Sequence, residues 1–418
     1  MISRYFPPMF DVGGKRAYRF ARYLPERGWR AVVLAGRLPR ERLVDPTPLR
    51  LGGETRVERR YEPAWFLEPR TRPSDGTIAA PVPGPPAGRV PRRGLCWVPV
   101  GPDVILVPHV VREATRLGRE ERIDAVLATA GPNAALVAGA RVADVLGRPL
   151  CLDLRDPWTP SFLARSRPRW VEAVDRRIER RLFERADRVV LSCETAAEAY
   201  RALYPHLPSG RLATIRNGFD PDDRPAPASP AGPIRLLHFG NCYGPRRLDT
   251  VLRAMARLRE RRPGAPPVVL ENLGRVAAAD LELAAALGVA DRLERGVFVP
   301  LAEGLGRLAA ADLALVVGYG DETLHIPAKL YDCLLARAPI ACVAPPGELA
   351  TIVERCGAGR AIRPGDVDGA VALIERAIDA RAGGRRAFVP DEGELARYSA
   401  RTAAHRLAEL LEGLTPRG

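Results

Sequence analysis

Lys329 and Asp332 stand three residues apart in the stretch HIPAKLYDCLLARAPIACVAPPG, residues 325–347. Pro327 suits the first turn of a helix, where its missing N–H goes unused. Leu330, Cys333 and Leu334 then form an apolar face at i, i+3 and i+4, which leaves Lys329 and Asp332 near the helix start on another face. Pro339 stops the helix, and Ile340–Val343 reads as a buried strand. Free N–H groups at a helix start favour a phosphate. Lys329 would add a cation, and Asp332 an acceptor for a sugar hydroxyl. A solvated Lys–Asp pair on an ordinary amphipathic helix fits the same pattern. Of the 64 basic residues, 62 are arginine and only Lys15 and Lys329 are lysine. Each lysine sits beside a Gly- or Pro-marked turn that opens a helix.

Three further stretches have residue types suited to a ligand. GNCYGPRR places Arg246 and Arg247 at a helix start, where a diphosphate would sit; exposed arginines opening a helix are the plain alternative. Gly13 and Gly14 precede another helix and would let backbone approach a ligand, or would serve a turn that needs glycine. Thr129, Gly131 and Asp153, with Arg155, Asp156 and Trp158 of LRDPW, fall where strands run into loops, and such loops are where parallel α/β sheets bind ligands. Asp156 before Pro157 is equally a helix cap. Of the five histidines, His238 falls within a strand and reads as core, whereas His325 lies on a ligand-facing loop. HExxH, GxSxG and the P-loop pattern are absent, as are GxGxxG and an acidic residue ending the second strand, so these chemistries are set aside.

The elements that must position these residues alternate between strand and helix, which predicts α/β units with parallel sheets. Strands are expected at Ile2–Phe6, Trp29–Ala35, Ala125–Thr129, Leu150–Leu154, Arg188–Ser192 and Leu212–Ile215. Helices are expected at Arg16–Glu26, Asp103–Gly118, Ala134–Leu146 and Pro168–Ala186. Residues 38–97 break the rhythm with Arg, Pro and Gly, and are expected to be a long mobile excursion. Its apolar island, Tyr61, Trp65, Phe66 and Leu67, would dock on an anionic membrane face or pack on its own domain. Residues 221–233 (PDDRPAPASPAGP) read as a linker. The plan then restarts with strands Ile234–Phe239, Val268–Glu271, Val297–Val299 and Leu313–Val317. Helices between and after them are expected at Leu248–Leu258, Ala277–Leu287, Ala302–Ala310, Glu348–Cys356, Val367–Ala380 and Leu395–Leu414. The domains would be 1–220, 234–394 and a last helix, 395–418.

The chain has 418 residues, enough for two domains with substantial cores, and 46% are hydrophobic. No apolar run reaches the roughly 18 residues of a membrane span, and no signal peptide is expected. The seven cysteines form no CxxC pair, which argues against zinc ribbons and fits a reducing cytoplasm. The net charge of +14 fits nucleic acid, an anionic membrane face or anionic small substrates. The arginines are spread along the chain, and no zinc-finger, RNP or basic-zipper pattern is present, so nucleic acid is not expected as a partner.

In order and spacing, these stretches resemble glycosyltransferase family 4. The matching segments are YFPPMFDVGGKRAYRFARYL, ATAGPNAALVAGARVADVLGRPLCLDLRDPW, ERADRVVLSCETA with IRNGFD, HFGNCYGPRRLDTVLRAMARL and IPAKLYDCLLARAPIACVAPPGELATIVERCGAGRAI. The chain is most similar to the bacterial branch that builds polysaccharides and cell-surface glycans. The resemblance implies the GT-B fold: two Rossmann-like domains facing across a cleft, with a C-terminal helix crossing back to the first domain. It implies a retaining, metal-independent transfer from a nucleotide sugar, with no other cofactor. Arg246 and Lys329 would hold the donor diphosphate and Asp332 the ribose. Gly240, Asn241 and Tyr243 would line the donor loop, and His325 and Ile326 would face the sugar. Gly13, Gly14 and Lys15 would line the cleft from the first domain, and Asp153, Arg155 and Asp156 the acceptor side. The acceptor would be a glycan or a lipid-linked diphosphate, with the protein cytoplasmic and peripheral on the inner membrane face. The family carries two glutamates with seven residues between them. Here the second position is Asp332 and the first is Leu324, with Glu322 nearby but out of register. A sugar-nucleotide epimerase of similar shape, a non-catalytic binding subunit and, third, a nucleic-acid-binding protein are the competing readings.

Overall fold

The computed structural model describes residues 1–9, 13–38, 49–63, 97–161, 167–226, 232–296, 299–321 and 323–414. By contacts, Met1–Arg216 and Ala400–Gly418 form one unit, and Asn217–Ser399 form a second. Residues 221–233, read as a linker, thus count with the second unit.

The first unit runs β1 (Ile2–Ser3), α1 (Gly14–Tyr23), β2 (Val32–Ala35), β3 (Arg56–Glu58), α2 (Val107–Glu120), β4 (Val126–Thr129), α3 (Ala134–Leu146), β5 (Leu150–Leu154), α4 (Arg169–Arg185), β6 (Arg188–Leu191), α5 (Glu194–Leu203) and β7 (Leu212–Thr214). Its strands lie parallel in the order β3-β2-β1-β4-β5-β6-β7. The order reverses between β1 and β4, and a crevice forms at the carboxyl ends of strands where that happens.

The second unit runs β8 (Ile234–Phe239), α6 (Asp249–Arg261), β9 (Val268–Leu273), α7 (Ala278–Ala286), β10 (Leu293–Gly296), α8 (Leu301–Ala310), β11 (Leu313–Val317), α9 (Lys329–Leu335), β12 (Ile340–Val343), α10 (Glu348–Arg355), β13 (Gly359–Ile362), α11 (Val367–Ala382) and α12 (Glu392–Ala396). Its strands are also parallel, in the order β10-β9-β8-β11-β12-β13, with the switch between β8 and β11. The central strands are buried on both faces, which is why β11 and β12 read as continuous apolar runs rather than as alternation.

The last helix, α13 (Ala400–Glu412), belongs to the first unit. Ala400, Ala404, Leu407, Ala408 and Leu411 pack with Phe20, Tyr23 and Leu24. Glu26 accepts from Arg401 at 3.1 Å and meets His405 at 2.9 Å. The expected helix Leu395–Leu414 is therefore two helices, interrupted where the chain passes from one unit to the other.

Several expectations need correction. Residues 38–97 are not wholly an excursion, because Val32↔Arg56, Val33↔Val57 and Leu34↔Glu58 pair β3 onto the sheet edge. Tyr61 is fully buried, with its N–H on Ala35 O, so it belongs to the core of its own unit. Trp65, Phe66 and Leu67 lie outside the described residues. The first strand ends at Ser3 rather than Phe6, short of Pro7, which has no N–H for a ladder. The first helix gives way after Tyr23 to a tighter 3-10 turn, Leu24–Arg27, that contains Pro25 and ends at left-handed Gly28. The strand expected at Val297–Val299 lies earlier, at Leu293–Gly296, where Leu293 pairs with Leu270; residues 297–298 lie outside the described residues. α5 and β13 were not expected.

Candidate functional site

The site in the second unit grows from two loops, one after β8 and one after β11, on either side of the switch point. Helix α9 begins at Lys329, two residues after Pro327, with Leu330 N–H on Pro327 O at 3.0 Å. It stops at Leu335 because Arg337 turns left-handed (φ 52) ahead of Pro339. This short helix places Lys329 against the end of β8.

Gly240, the first residue after β8, makes that contact sterically feasible. A Cβ there would lie 2.2 Å from Lys329 Cε and 2.5 Å from Nζ, and its φ of +135° also excludes ordinary side chains. Lys329 Nζ donates to Asn241 O at 3.4 Å and approaches His238 Nε2 at 3.3 Å. His238 Nδ1 lies 2.6 Å from Asn272 Oδ1, while Asn272 Nδ2 donates to Gly274 O at 2.7 Å. The amide nitrogen is thus engaged, and Oδ1 is the acceptor, so the proton resides on Nδ1. Nε2 of the neutral ring then offers its lone pair to Lys329. Burial, then the Lys329 cation, hold the imidazole well below its usual pKa. Burial, then the Arg246 cation, lower the Lys329 ammonium to about 7.

Arg246 completes the cationic side of the crevice. It is 4% exposed, with its Nε on Val317 O at 3.1 Å. Its guanidinium lies 4.1 Å from the Tyr319 ring centre and 5.5 Å from that of Tyr243. The two tyrosine hydroxyls meet at 3.1 Å, and Tyr319 also contacts the His325 ring at 5.5 Å. Arg246 Nη2 is buried with no hydrogen-bond partner among the described residues. A desolvated donor left unmade is costly, and an oxyanion would satisfy it. Arg247, paired with Arg246 in the sequence reading, does something else. Its Nε donates at 2.8 Å to buried Asp280, which also accepts from Leu248 N–H. It anchors the start of α6.

Asp332 is buried in the first turn of α9, one turn from Lys329, and its carboxylate has no hydrogen bond or ion pair among the described residues. Ile326 and His325 are buried ahead of the helix. Leu324 stands at the first glutamate position, and Glu322 lies outside the described residues. The fold thus gathers Gly240, Asn241, Tyr243, Arg246 and Lys329 around one crevice. Sequence reading missed Tyr319 and Asn272, and took His238 for core alone. Its burial agrees with that reading, but its contact with Lys329 does not. The available signal was position: each lies at or just past the end of β8, β9 or β11.

The first unit carries its residues separately. Asp153 lies within β5, fully buried, and takes Arg16 Nη2 at 2.8 Å and Thr129 Oγ1 at 2.8 Å. Arg16 also reaches Ile215 O at 2.8 Å. This pair ties α1 to two strands and occupies the Asp153 carboxylate. Arg155 and Asp156 do lie on the loop after β5, beside a cavity of about 320 Å³ that also includes Gly131, Asn133 and Trp158. Arg155 lies against Gly131 (φ +94°), where a Cβ would be 2.1 Å from Nη2. Gly14 serves packing, since a Cβ would stand 3.1 Å from the Phe6 backbone. Gly13 has an ordinary helical φ of −63°, and Lys15 is partly buried. Among the described residues, no cluster of three His, Cys, Asp or Glu side chains could hold a metal ion, and no helix is long and apolar enough to cross a membrane.

Two doubly wound units of parallel strands, one with paired cations at its switch point, define a two-domain α/β class. The Glycosyltransferase Family 4 description matches residues 13–223, half of the chain. The protein belongs to that family and is a glycosyltransferase with the GT-B fold. Among solved structures it is similar to HepE from Anabaena in complex with UDP, at 18% identity, TM-score 0.63 and 99% of each chain. It is similar to sucrose-phosphate synthase from Thermosynechococcus elongatus, at 15% identity and TM-score 0.66, over 99% of this chain and 98% of that one. It is also similar to WaaG, a glycosyltransferase involved in lipopolysaccharide biosynthesis, at 15% identity and TM-score 0.58, over 99% of this chain and 100% of that one. At these identities the likeness concerns the fold. No curated protein sequence matches.

Proposed function

We propose that the protein transfers a sugar, with retention, from a nucleoside-diphosphate donor to a glycan or lipid-linked acceptor in cell-surface polysaccharide synthesis. The observation that carries this reading is Arg246, buried with an unmet donor, beside Lys329 at the switch point. Departure of a nucleoside diphosphate builds negative charge, and fixed cations at that position lower the barrier. Asp332 accepts from the ribose, and His325 and Ile326 border the sugar. The Arg155–Asp156 loop shapes the acceptor side. No metal or other cofactor is required. The net charge of +14 suits a peripheral position on an anionic inner membrane face, where a lipid-linked diphosphate would be found.

The test is a thermal-shift panel of UDP, GDP, ADP, dTDP and CDP on the wild type and on Lys329→Ala. UDP comes first, because HepE was crystallised with it. A ligand at about 100 times its Kd adds roughly 2.7 kcal/mol. One nucleotide should shift the wild type and not the variant; no shift with any nucleotide overturns the reading. Leu324 in place of the first family glutamate favours a second reading, a non-catalytic subunit that binds the same nucleotide. Slow hydrolysis of the bound nucleotide sugar would exclude it.

A further inference from the structure

A second cationic cavity lies in the second unit, toward the amino ends of its strands. It has a volume of about 550 Å³, and its charged lining is Arg224, Arg337, Arg381, Arg385, Arg386 and Glu392. Ala309, Ala336 and Arg381, at or beside the ends of α8, α9 and α11, form part of its wall. These helix ends lead toward the amino ends of the parallel strands, opposite the carboxyl ends that carry Gly240 and Lys329. The cavity is therefore a different place from the nucleotide site, and its chemistry is independent of that site.

Two of its arginines are engaged by the fold. Arg337 grips Glu392 through Nε and Nη2 at 3.0 and 2.5 Å and donates to Leu335 O at 2.9 Å. Arg381 pairs with Asp312 at 3.0 Å and donates to Pro233 O and Gly232 O at 2.9 and 2.8 Å. Together they neutralise the two nearby carboxylates and cover carbonyls just before β8 and at the end of α9. Among the described residues, Arg224 has the already engaged Glu392, at 3.6 Å, as its one ion-pair partner. Among the described residues, Arg385 and Arg386 have no ion pair. Arg386 is half-buried, and its Nη1 is buried with no hydrogen-bond partner among the described residues. Its burial lowers the guanidinium pKa, with the Asp312 carboxylate acting the other way. Adjacent, unpaired guanidinium groups repel one another, and a desolvated donor costs free energy until an acceptor reaches it.

We propose that this cavity binds a phosphate-type oxyanion, held by Arg385 and Arg386 with Arg224 at its rim. Guanidinium groups match phosphate oxygens in pairs. Val389, 76% exposed, is part of the lining, so the phosphate is either free in solution or part of a lipid headgroup.

The experiment uses the full chain carrying Lys329→Ala, which weakens the nucleotide site equally in both proteins compared. Inorganic pyrophosphate is titrated by calorimetry into this protein and into the same protein with Arg385→Gln and Arg386→Gln. In parallel, both are sedimented with phosphatidylglycerol vesicles and with phosphatidylcholine vesicles. A loss of about tenfold or more in pyrophosphate affinity assigns a free phosphate; about 1.4 kcal/mol is tenfold. A loss confined to phosphatidylglycerol vesicles assigns a headgroup. Equal behaviour in both arms overturns the site. Arg385→Gln alone, at an exposed position that does not support the fold, should give part of the loss. In an otherwise wild-type chain, the Arg385→Gln, Arg386→Gln pair should leave the nucleotide thermal shift unchanged, which separates this site from the other.

Discussion

Lys329 Nζ stands 3.3 Å from His238 Nε2, and the other nitrogen of that ring stands 2.6 Å from Asn272 Oδ1. The amide fixes the imidazole tautomer, and the tautomer directs a lone pair at the lysine. His238→Phe removes that acceptor while keeping a ring in the core. Its nucleoside-diphosphate affinity should fall about tenfold, the scale of one hydrogen bond to a charged group. His238→Gln, whose carbonyl can accept from Lys329, should recover part of it. Equal calorimetric affinities for Phe and Gln would show that only packing matters.

Binding should also take up a proton. Burial, then Arg246, hold the free Lys329 ammonium down at about 7, with Cys242, Cys333 and Asp332 acting the other way. A bound diphosphate favours the protonated form and raises that pKa. Affinity is then greatest below about pH 7 and declines as pH rises through the window between the free and bound pKa values. Calorimetry at pH 8 in two buffers of different ionisation enthalpy should report proton uptake. Lys329→Arg, charged throughout, should show none.

Gly240→Ala should disable the site without unfolding the chain. The new Cβ overlaps Lys329 Cε, and φ +135° is strained for any L side chain, a penalty of about 1–3 kcal/mol. Nucleotide affinity should drop by roughly tenfold or more, with far-UV circular dichroism unchanged. Wild-type affinity would mean that Lys329 is not held against this glycine.

Arg246→Lys is not a conservative change. Lysine lacks the planar face that lies on Tyr319 and the fork that reaches Val317 O. If Arg246 stabilises the leaving group, kcat should fall by about 10²-fold, the scale for removing one transition-state donor. Tyr319→Phe, which keeps the ring beside Arg246 and removes the hydroxyl that meets Tyr243, should change kcat far less. Steady-state kinetics on both variants provides the comparison.

Asp153→Asn should act on stability. It leaves the Arg16 guanidinium buried without its counterion, and breaking such a pair costs about 3–5 kcal/mol. The urea midpoint should drop with the slope unchanged. A variant as stable as the wild type but with raised acceptor KM would return Asp153 to the acceptor side.

Strand–helix alternation was legible in the chain because it is local. Buried parallel strands appear as short apolar runs, and glycine and proline mark many of the stops, so most elements of both doubly wound sheets could be placed without coordinates. Lys329 and Arg246 were also legible, since each opens or precedes a helix beside a turn. The early end of the first strand at Ser3, the edge strand Arg56–Glu58 and the break at Arg397–Ser399 were not. Each depends on what the rest of the fold offers that segment. The division of labour between Arg246 and Arg247 needed Asp280, and the fate of Asp153 needed Arg16, 137 residues away. His238 and Lys329 lie 91 residues apart. Sequence alone determined which residue types stand at the strand ends. The tertiary structure decided which of them meet, because an unpaired buried charge or donor is stable only where a distant side chain or a ligand completes it.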